Sequence, residues 1–194
     1  VRDFLTDEVA EVICDDEETV KRMIGLVGKV SRRSSKRVHH FKGSQQIFES
    51  FNLEKQISNA FKREVRLPCG GYIVIDETEA LISIDVNTGR NKGKNNADKM
   101  ILETNLESAN EVARQLRLRN IGGLIVVDFI DMKSRKDQMA VYRRMRERTD
   151  DDKAKIQVLQ LSQLGLMEMT RQRLNESLSM SMYTTCPSCD GSGR

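Results

Sequence analysis

A chain of 194 residues, 38% apolar and 31% charged, is long enough for one full domain plus part of another and rich enough in apolar residues to bury a core. No run approaches the roughly 20 apolar residues of a membrane span, and no signal-peptide pattern opens the sequence. The net charge of +3 is modest but unevenly spread. Lys29, Arg32, Arg33, Lys36, Arg37 and Lys42 form one acid-free basic stretch with His39 and His40. Arg114, Arg117 and Arg119 form a second basic group, and Arg143, Arg144, Arg146 and Arg148 a third. Each group reads either as a solvated face or as a phosphate contact. The chain opens at Val1 in what reads as mid-domain, so a fragment of a longer protein is expected.

In chain order, residues 3–13 and 17–28 read as short helices; in the second, Val20, Met23, Ile24 and Val27 share a face. A short strand is expected over Arg37–Phe41. Ile47, Phe48 and Phe51, then Leu53, Ile57 and Phe61, recur at helical spacing, and these aromatics read as core rather than as a base-stacking platform. Pro68 and the Gly70–Gly71 pair end that region. A hairpin follows, with β-rich runs Tyr72–Asp76 and Ala80–Asn87 joined by Glu77, Thr78 and Glu79. Alternation puts Asp85 and Asn87 on one face of the second strand. Residues 88–96 form a polar loop that opens like a calcium loop at Asp85-x-Asn87-x-Gly89 but has Asn96 where a bidentate glutamate is required.

A helix is predicted from near Asp98 to Arg119, with Leu102, Leu106, Ala109, Ala113 and Leu116 as its apolar stripe and its acids early and arginines late. Gly122–Gly123 stops it. Leu124–Asp128 is a nearly unbroken apolar run, expected of a buried parallel strand. A helix over Arg135–Thr149, a strand over Ile156–Leu161 and a short helix over Gly165–Leu174 complete the pattern. The order ββαβαβα predicts an α/β fold, a layered mixed sheet with flanking helices.

Ligands in such sheets gather at strand carboxyl ends. Asp85 in LISIDVN and Asp128 in LIVVDF both end strands. Two hard carboxylates there suit Mg²⁺, which relieves phosphate charge and activates water in phosphodiester hydrolysis. Asn87 would orient a phosphate or a water. The bland reading makes Asp85 a turn cap and Asp128 a helix cap; their joint placement favours the metal. Asp131 reads as the cap of the next helix rather than a spare ligand, and Asp76 as structural.

Four cysteines make no disulfide framework, which fits a reducing cytoplasm. Cys186-Pro187-Ser188-Cys189 has zinc-ligand spacing but supplies only two of the four ligands of a structural zinc. A site closed by the same pair from a second chain is more economical than one completed by His39 and His40.

The strings GGYIVIDETEALISIDVNTGR, NLESANEVARQLRLRNIGGLIVVDFIDM, MEMTRQR and CPSC closely resemble the bacterial ribonuclease E/G family over essentially the whole chain. The resemblance implies three parts: residues 1–60 as the C-terminal part of an RNase H-like subdomain, mostly helical; 61–182 as a deoxyribonuclease-I-like catalytic domain; and 183–194 as a zinc-link segment. It implies Mg²⁺ on Asp85 and Asp128, Asn87 as a catalytic residue, and a Zn²⁺ shared between two protomers through Cys186 and Cys189. It further implies cytoplasmic endonucleolytic cleavage of single-stranded RNA in mRNA decay and in rRNA or tRNA processing, leaving 5′-phosphate and 3′-hydroxyl ends, with the RNA-decay machinery as partner. A 5′-monophosphate sensor position falls on Lys155, where the best-known member has arginine; lysine lacks the bidentate fork. Arg171 and Arg173 are further candidates for RNA contact. The family's RNA-clamping parts would lie outside this chain, so little nuclease activity is expected of the 194 residues alone. The competing expectation is a non-catalytic RNA-binding or assembly module organised by the shared zinc.

Overall fold

The computed structural model describes residues 5, 9–89, 97–150, 152–173, 177–178, 184 and 186–188. Expectations that rest on residues 1–4, 6–8, 90–96 and 174 and on Cys189 lie outside the described residues. The chain divides into two compact units, Val1–Ile57 and Ser58–Arg194.

The first unit is built on a parallel pair, β1 (Val12–Cys14) and β2 (Val38–His40), with Val12 opposite Val38 and Cys14 opposite His40. β1 therefore occupies the end of the segment read as a first helix. The crossover is α1 (Glu17–Val30) and α2 (Arg32–Ser35). α1 starts where Asp16 accepts a 2.6 Å hydrogen bond from the Thr19 amide; the Thr19 side chain first, and this amide second, hold the Asp16 carboxyl below its usual range. Ser31 ends α1 and caps α2. α3 (Ile47–Ser50) and α4 (Leu53–Ala60) are separated at Asn52, whose φ of 55° breaks the helical run. Phe48 and Phe51 are 48% and 43% exposed, so they are not the core residues their spacing predicted. The break at Asn52 cuts the apolar stripe short, and Phe51 packs instead on Phe41, ring centroids 6.2 Å apart.

The second unit is a six-stranded mixed sheet in the order β3-β4-β5-β6-β8-β7. Its strands are β3 (Glu64–Arg66), β4 (Tyr72–Glu77), β5 (Ile82–Asn87), β6 (Gly123–Asp128), β7 (Ile156–Val158) and β8 (Leu166–Arg171). β4 and β5 form the expected hairpin, closed by Thr78, whose hydroxyl donates to the Leu81 carbonyl at 2.6 Å. β5 and β6 run parallel, joined through α5 (Ala97–Leu118). β8 is antiparallel to both β6 and β7. Within the segment expected to be a helix, Leu166–Arg171 is thus a strand. In Leu166–Arg171 the buried residues Met167, Met169 and Arg171 recur at period two, and the ladder with β6 outweighs the local helix preference of Leu, Met and Glu.

One face of this sheet is covered. Ile73, Ile75, Ile82, Ile84, Val86, Ile125, Val127, Met167 and Met169 are buried in one cluster with Ala109, Val112, Ala113 and Leu116 of α5 and Val141 and Met145 of α6 (Arg135–Thr149). The register keeps these residues on one side: Ile84 lies between Ile75 and Val127, and Ile125 between Ile82 and Met169. The opposite face carries Val74, Asp85, Asp128 and Leu166 in a row across β4, β5, β6 and β8. β6 is therefore half-buried, not buried on both faces as its apolar run predicted: Leu124 is 44% exposed. Its β-branched residues build strand whichever face they meet.

At the end of the sheet opposite the carboxyl ends of β5 and β6, Arg171 and Asp152 form an ion pair whose side chains are each 4% exposed. Two nitrogens of Arg171 donate to Asp152 at 3.0 and 3.2 Å and a third to the Ile121 carbonyl at 2.7 Å. This ties β8 to the α6–β7 connection and to the lead-in of β6. Replacing Asp152 by Ala strands a buried guanidinium. The expected loss is about 3 kcal/mol or more of unfolding free energy, read from the urea midpoint at constant slope; an unchanged midpoint refutes this role for the pair.

Candidate active site

Asp85 and Asp128 are direct cross-strand partners at the carboxyl ends of the parallel strands β5 and β6. Parallel pairing brings like ends together, and adjacent strands are about 4.8 Å apart, so the carboxylates stand side by side on the open face. Asn87 shares that face and donates its side-chain N–H to Asp85 Oδ2 at 2.7 Å. That bond fixes the carboxylate's rotation. Burial first, then Asp85, then Asp131 push the Asp128 carboxyl above its ordinary range, as expected of two acids sharing a site.

The backbone around the trio is held tightly. At Gly71 a Cβ would approach the Asn87 carbonyl oxygen to 2.7 Å and Thr104 Cγ2 to 2.9 Å. At Gly89, with φ of 58°, a Cβ would clash with the Gly70 carbonyl. These glycines let the start of β4 lie against the end of β5, a close approach that no larger residue permits. On the β6 side, Asn105 of α5 brackets Ile130: its Nδ2 donates to the Ile130 carbonyl at 2.8 Å and its Oδ1 accepts from the Ile130 amide at 3.1 Å. Asn105 is fully buried. Sequence reading missed it; the signal was a polar residue interrupting an apolar helix face between Leu102 and Ala109.

Asp131 does not cap α6, contrary to expectation. Ser134 does, accepting from the Asp137 amide. A residue three positions nearer the helix has the extended backbone that a cap requires. Asp131 Oδ1 lies instead against Gly165, 3.1 Å from where a Cβ would be. Among the described residues no group of three His, Cys, Asp or Glu side chains has metal-holding geometry. The donor set is therefore two carboxylates plus the Asn87 amide. That set fits Mg²⁺, which is held by one or two carboxylates with the remaining positions filled by water and substrate oxygen. Asp76 lies outside the set: Arg63 pairs with both its oxygens and holds its carboxyl below the usual range.

The other expected residues are dispersed. Lys155 and Arg173 are exposed; Arg173 Nε donates to the Gly122 carbonyl at 3.2 Å. Arg171 is buried and its guanidinium is turned onto Asp152 and Ile121, so it does not offer a cation to RNA as expected. Its strand position at a core-facing alternation decides this. The second and third basic groups belong to α5 and α6 and the end of α5, behind the sheet. There Arg117 donates to the Arg148 carbonyl, Arg148 to Asn110, and Arg119 to Gln115 and the Lys62 carbonyl. Cys186 is exposed with a free thiol, and Cys189 is outside the described residues. His40 Nε2 lies 3.2 Å from the Asp15 carbonyl oxygen.

The raised Asp128 pKa sets a pH dependence. The folded state holds its proton more tightly than the unfolded state, so this group's stabilisation is present at low pH. It is lost as pH rises from the ordinary carboxylate range, about 4, through the raised folded value. Asp128→Asn is therefore expected to raise the melting temperature of the metal-free chain at pH 7. The gain should shrink below about pH 4. Melting curves across that range check it, and equal melting of the two proteins at pH 7 would contradict it.

The Ribonuclease E/G family model matches residues 1–174. The chain is 43% identical over 194 residues to ribonuclease E of Haemophilus influenzae, covering 100% of this chain and 21% of that protein. It is 44% identical over 193 residues to ribonuclease E of Escherichia coli K12, covering 99% of this chain and 18% of that protein. To ribonuclease G of the same strain it is 38% identical over 193 residues, covering 100% of this chain and 40% of that protein. The chain thus spans between about a fifth and two-fifths of the length of these relatives. With strand-end acids in register and a family match over nearly its whole length, this chain belongs to the ribonuclease E/G family.

Proposed function

We propose that this chain carries the cleavage centre of a Mg²⁺-dependent endoribonuclease acting on single-stranded RNA. The observation that carries the proposal is the in-register pair Asp85 and Asp128, with Asn87 bonded to Asp85 on the open sheet face. Asp85 and Asp128 would hold the ion. When bound, it supplies positive charge against the phosphate and a more acidic water. Asn87 keeps Asp85 oriented, and its amide is placed to meet a phosphate oxygen. In the hydrolysis a water oxygen bonds to phosphorus as the P–O3′ bond breaks. One product keeps a 5′-phosphate and the other a 3′-hydroxyl. In this reading residues 1–60 belong to an RNase H-like subdomain, 61–182 are the deoxyribonuclease-I-like domain and 183–194 are a zinc link. Cys186 and Cys189 share one Zn²⁺ with a second protomer. Lys155 and Arg173 follow the RNA backbone. The setting is cytoplasmic mRNA decay and rRNA or tRNA processing alongside the RNA-decay machinery. Among the described residues no helix is long and apolar enough to cross a membrane.

In the enzyme that contains this chain, Asp85→Asn and Asp128→Asn are each expected to lower Mg²⁺-dependent cleavage of a short single-stranded RNA by about a hundredfold or more. RNA binding should remain. Unchanged cleavage in both variants sinks the proposal and leaves a binding or assembly module. For the zinc link, metal content near half an equivalent per chain is expected, falling to zero in Cys186→Ser with loss of the dimer. A full equivalent per chain argues against sharing.

A further inference from the structure

Tyr72 stands beside the acid pair. It opens β4 directly opposite Asn87, and Arg66 of β3 lies opposite Tyr72 on its other side. Ile73, the next residue, is fully buried on the helix-covered face. Alternation therefore puts Tyr72 on the open face with Asp85, Asn87 and Asp128. Directly opposed cross-strand residues have Cβ atoms about 5 Å apart and diagonal ones about 7–8 Å apart. Asn87 is the direct neighbour of Tyr72 and Asp85 its diagonal one.

Tyr72 is half-buried, and among the described residues the ring contacts are Phe41 with Phe51 and Arg146 with Tyr142. Arg66 is exposed, and its 3.4 Å pair with the exposed Glu64 is of the kind that contributes little. An exposed guanidinium one strand from a half-buried aromatic ring on the open face matches how single-stranded nucleic acid is bound. Bases stack on rings regardless of identity, and cations follow the backbone.

We propose that Tyr72 and Arg66 form a nucleobase subsite for the nucleotide next to the cleaved linkage, Tyr72 stacking on the base and Arg66 meeting its phosphate. The subsite rests on the reading of Asp85 and Asp128 as the cleavage centre. It positions RNA from the β3–β4 side, so that the linkage after the stacked base lies over the acid pair. Because stacking is insensitive to base identity, this subsite adds affinity and register rather than sequence preference.

The test compares wild type, Tyr72→Phe and Tyr72→Leu in the enzyme that contains this chain. The substrates are a short single-stranded RNA and the same RNA made abasic at each nucleotide flanking the cleaved linkage. Tyr72→Leu is expected to raise KM about tenfold with a smaller change in kcat, and Tyr72→Phe to stay near wild type. One abasic RNA should cost the wild type a similar factor and cost Tyr72→Leu nothing further. Wild-type enzyme indifferent to every abasic substitution overturns the proposal, whatever the variants do. So does a Tyr72→Leu enzyme equally impaired on intact and abasic RNA. A second readout needs no cleavage: 2-aminopurine at the stacked position should be quenched on binding the Asp85→Asn protein and not on binding Asp85→Asn/Tyr72→Leu. If Asp85→Asn still cleaves, the metal-centre reading fails while the stacking signal is still read; if only the quenching is absent, the subsite alone fails.

Discussion

The parallel register of β5 against β6 is the constraint on which the rest depends. It sets Asp85 opposite Asp128, an arrangement that electrostatics alone opposes, since like charges directly across a ladder are destabilising. The same register sets Ile82 opposite Ile125 and Ile84 opposite Val127 on the reverse face, all buried. A slip of one residue would turn those apolar groups to the open face and the acids into the core. Burial of the aliphatic row thus holds the acid pair together, and the cost appears as a raised Asp128 pKa, from burial of the carboxyl first and then from the neighbouring Asp85 and Asp131 charges.

Each strand end is then fixed from its own side. Gly71 and Gly89 let the β4 and β5 backbones approach where a side chain would not fit. Asn105 satisfies both backbone groups of Ile130, so the chain leaves β6 in one direction. Farther off, the buried pair Asp152–Arg171 anchors β8, which flanks β6 on the side away from β5. These are polar or steric devices, short in reach and specific in geometry. The apolar layer between the sheet and α5 and α6 supplies the bulk of the burial but does not by itself choose a carboxylate rotation.

The face of the sheet that carries Asp85 and Asp128 is the one opposite the helix layer. All helices of the sheet unit that pack on the core lie on one side. Asp85, Asn87, Asp128 and, by alternation, Tyr72 lie on the other side. The basic groups on α5 and α6 are engaged in holding the helix layer and lie behind the sheet.

The α/β class, the β4–β5 hairpin, the long α5 and the strand-end positions of Asp85 and Asp128 are legible in the residue order, because period two, period 3.6 and glycine punctuation are local signals. The residue order also put Asp85 and Asn87 on one strand face, which alternation alone requires. The remaining features depend on contacts between segments distant in the chain. Residues 166–171 are a strand because β6 and β7 offer ladders on both sides, a non-local gain that helix-favouring residues do not reveal. Arg171 is an anchor and not an RNA contact because its strand position turns it toward Asp152, nineteen residues away in the chain. Phe48 and Phe51 are exposed because one backbone angle at Asn52 divides their helix. Whether two acids, or a tyrosine and an asparagine, become neighbours depends on strand order and register, and these are set by packing between segments that the chain order keeps apart.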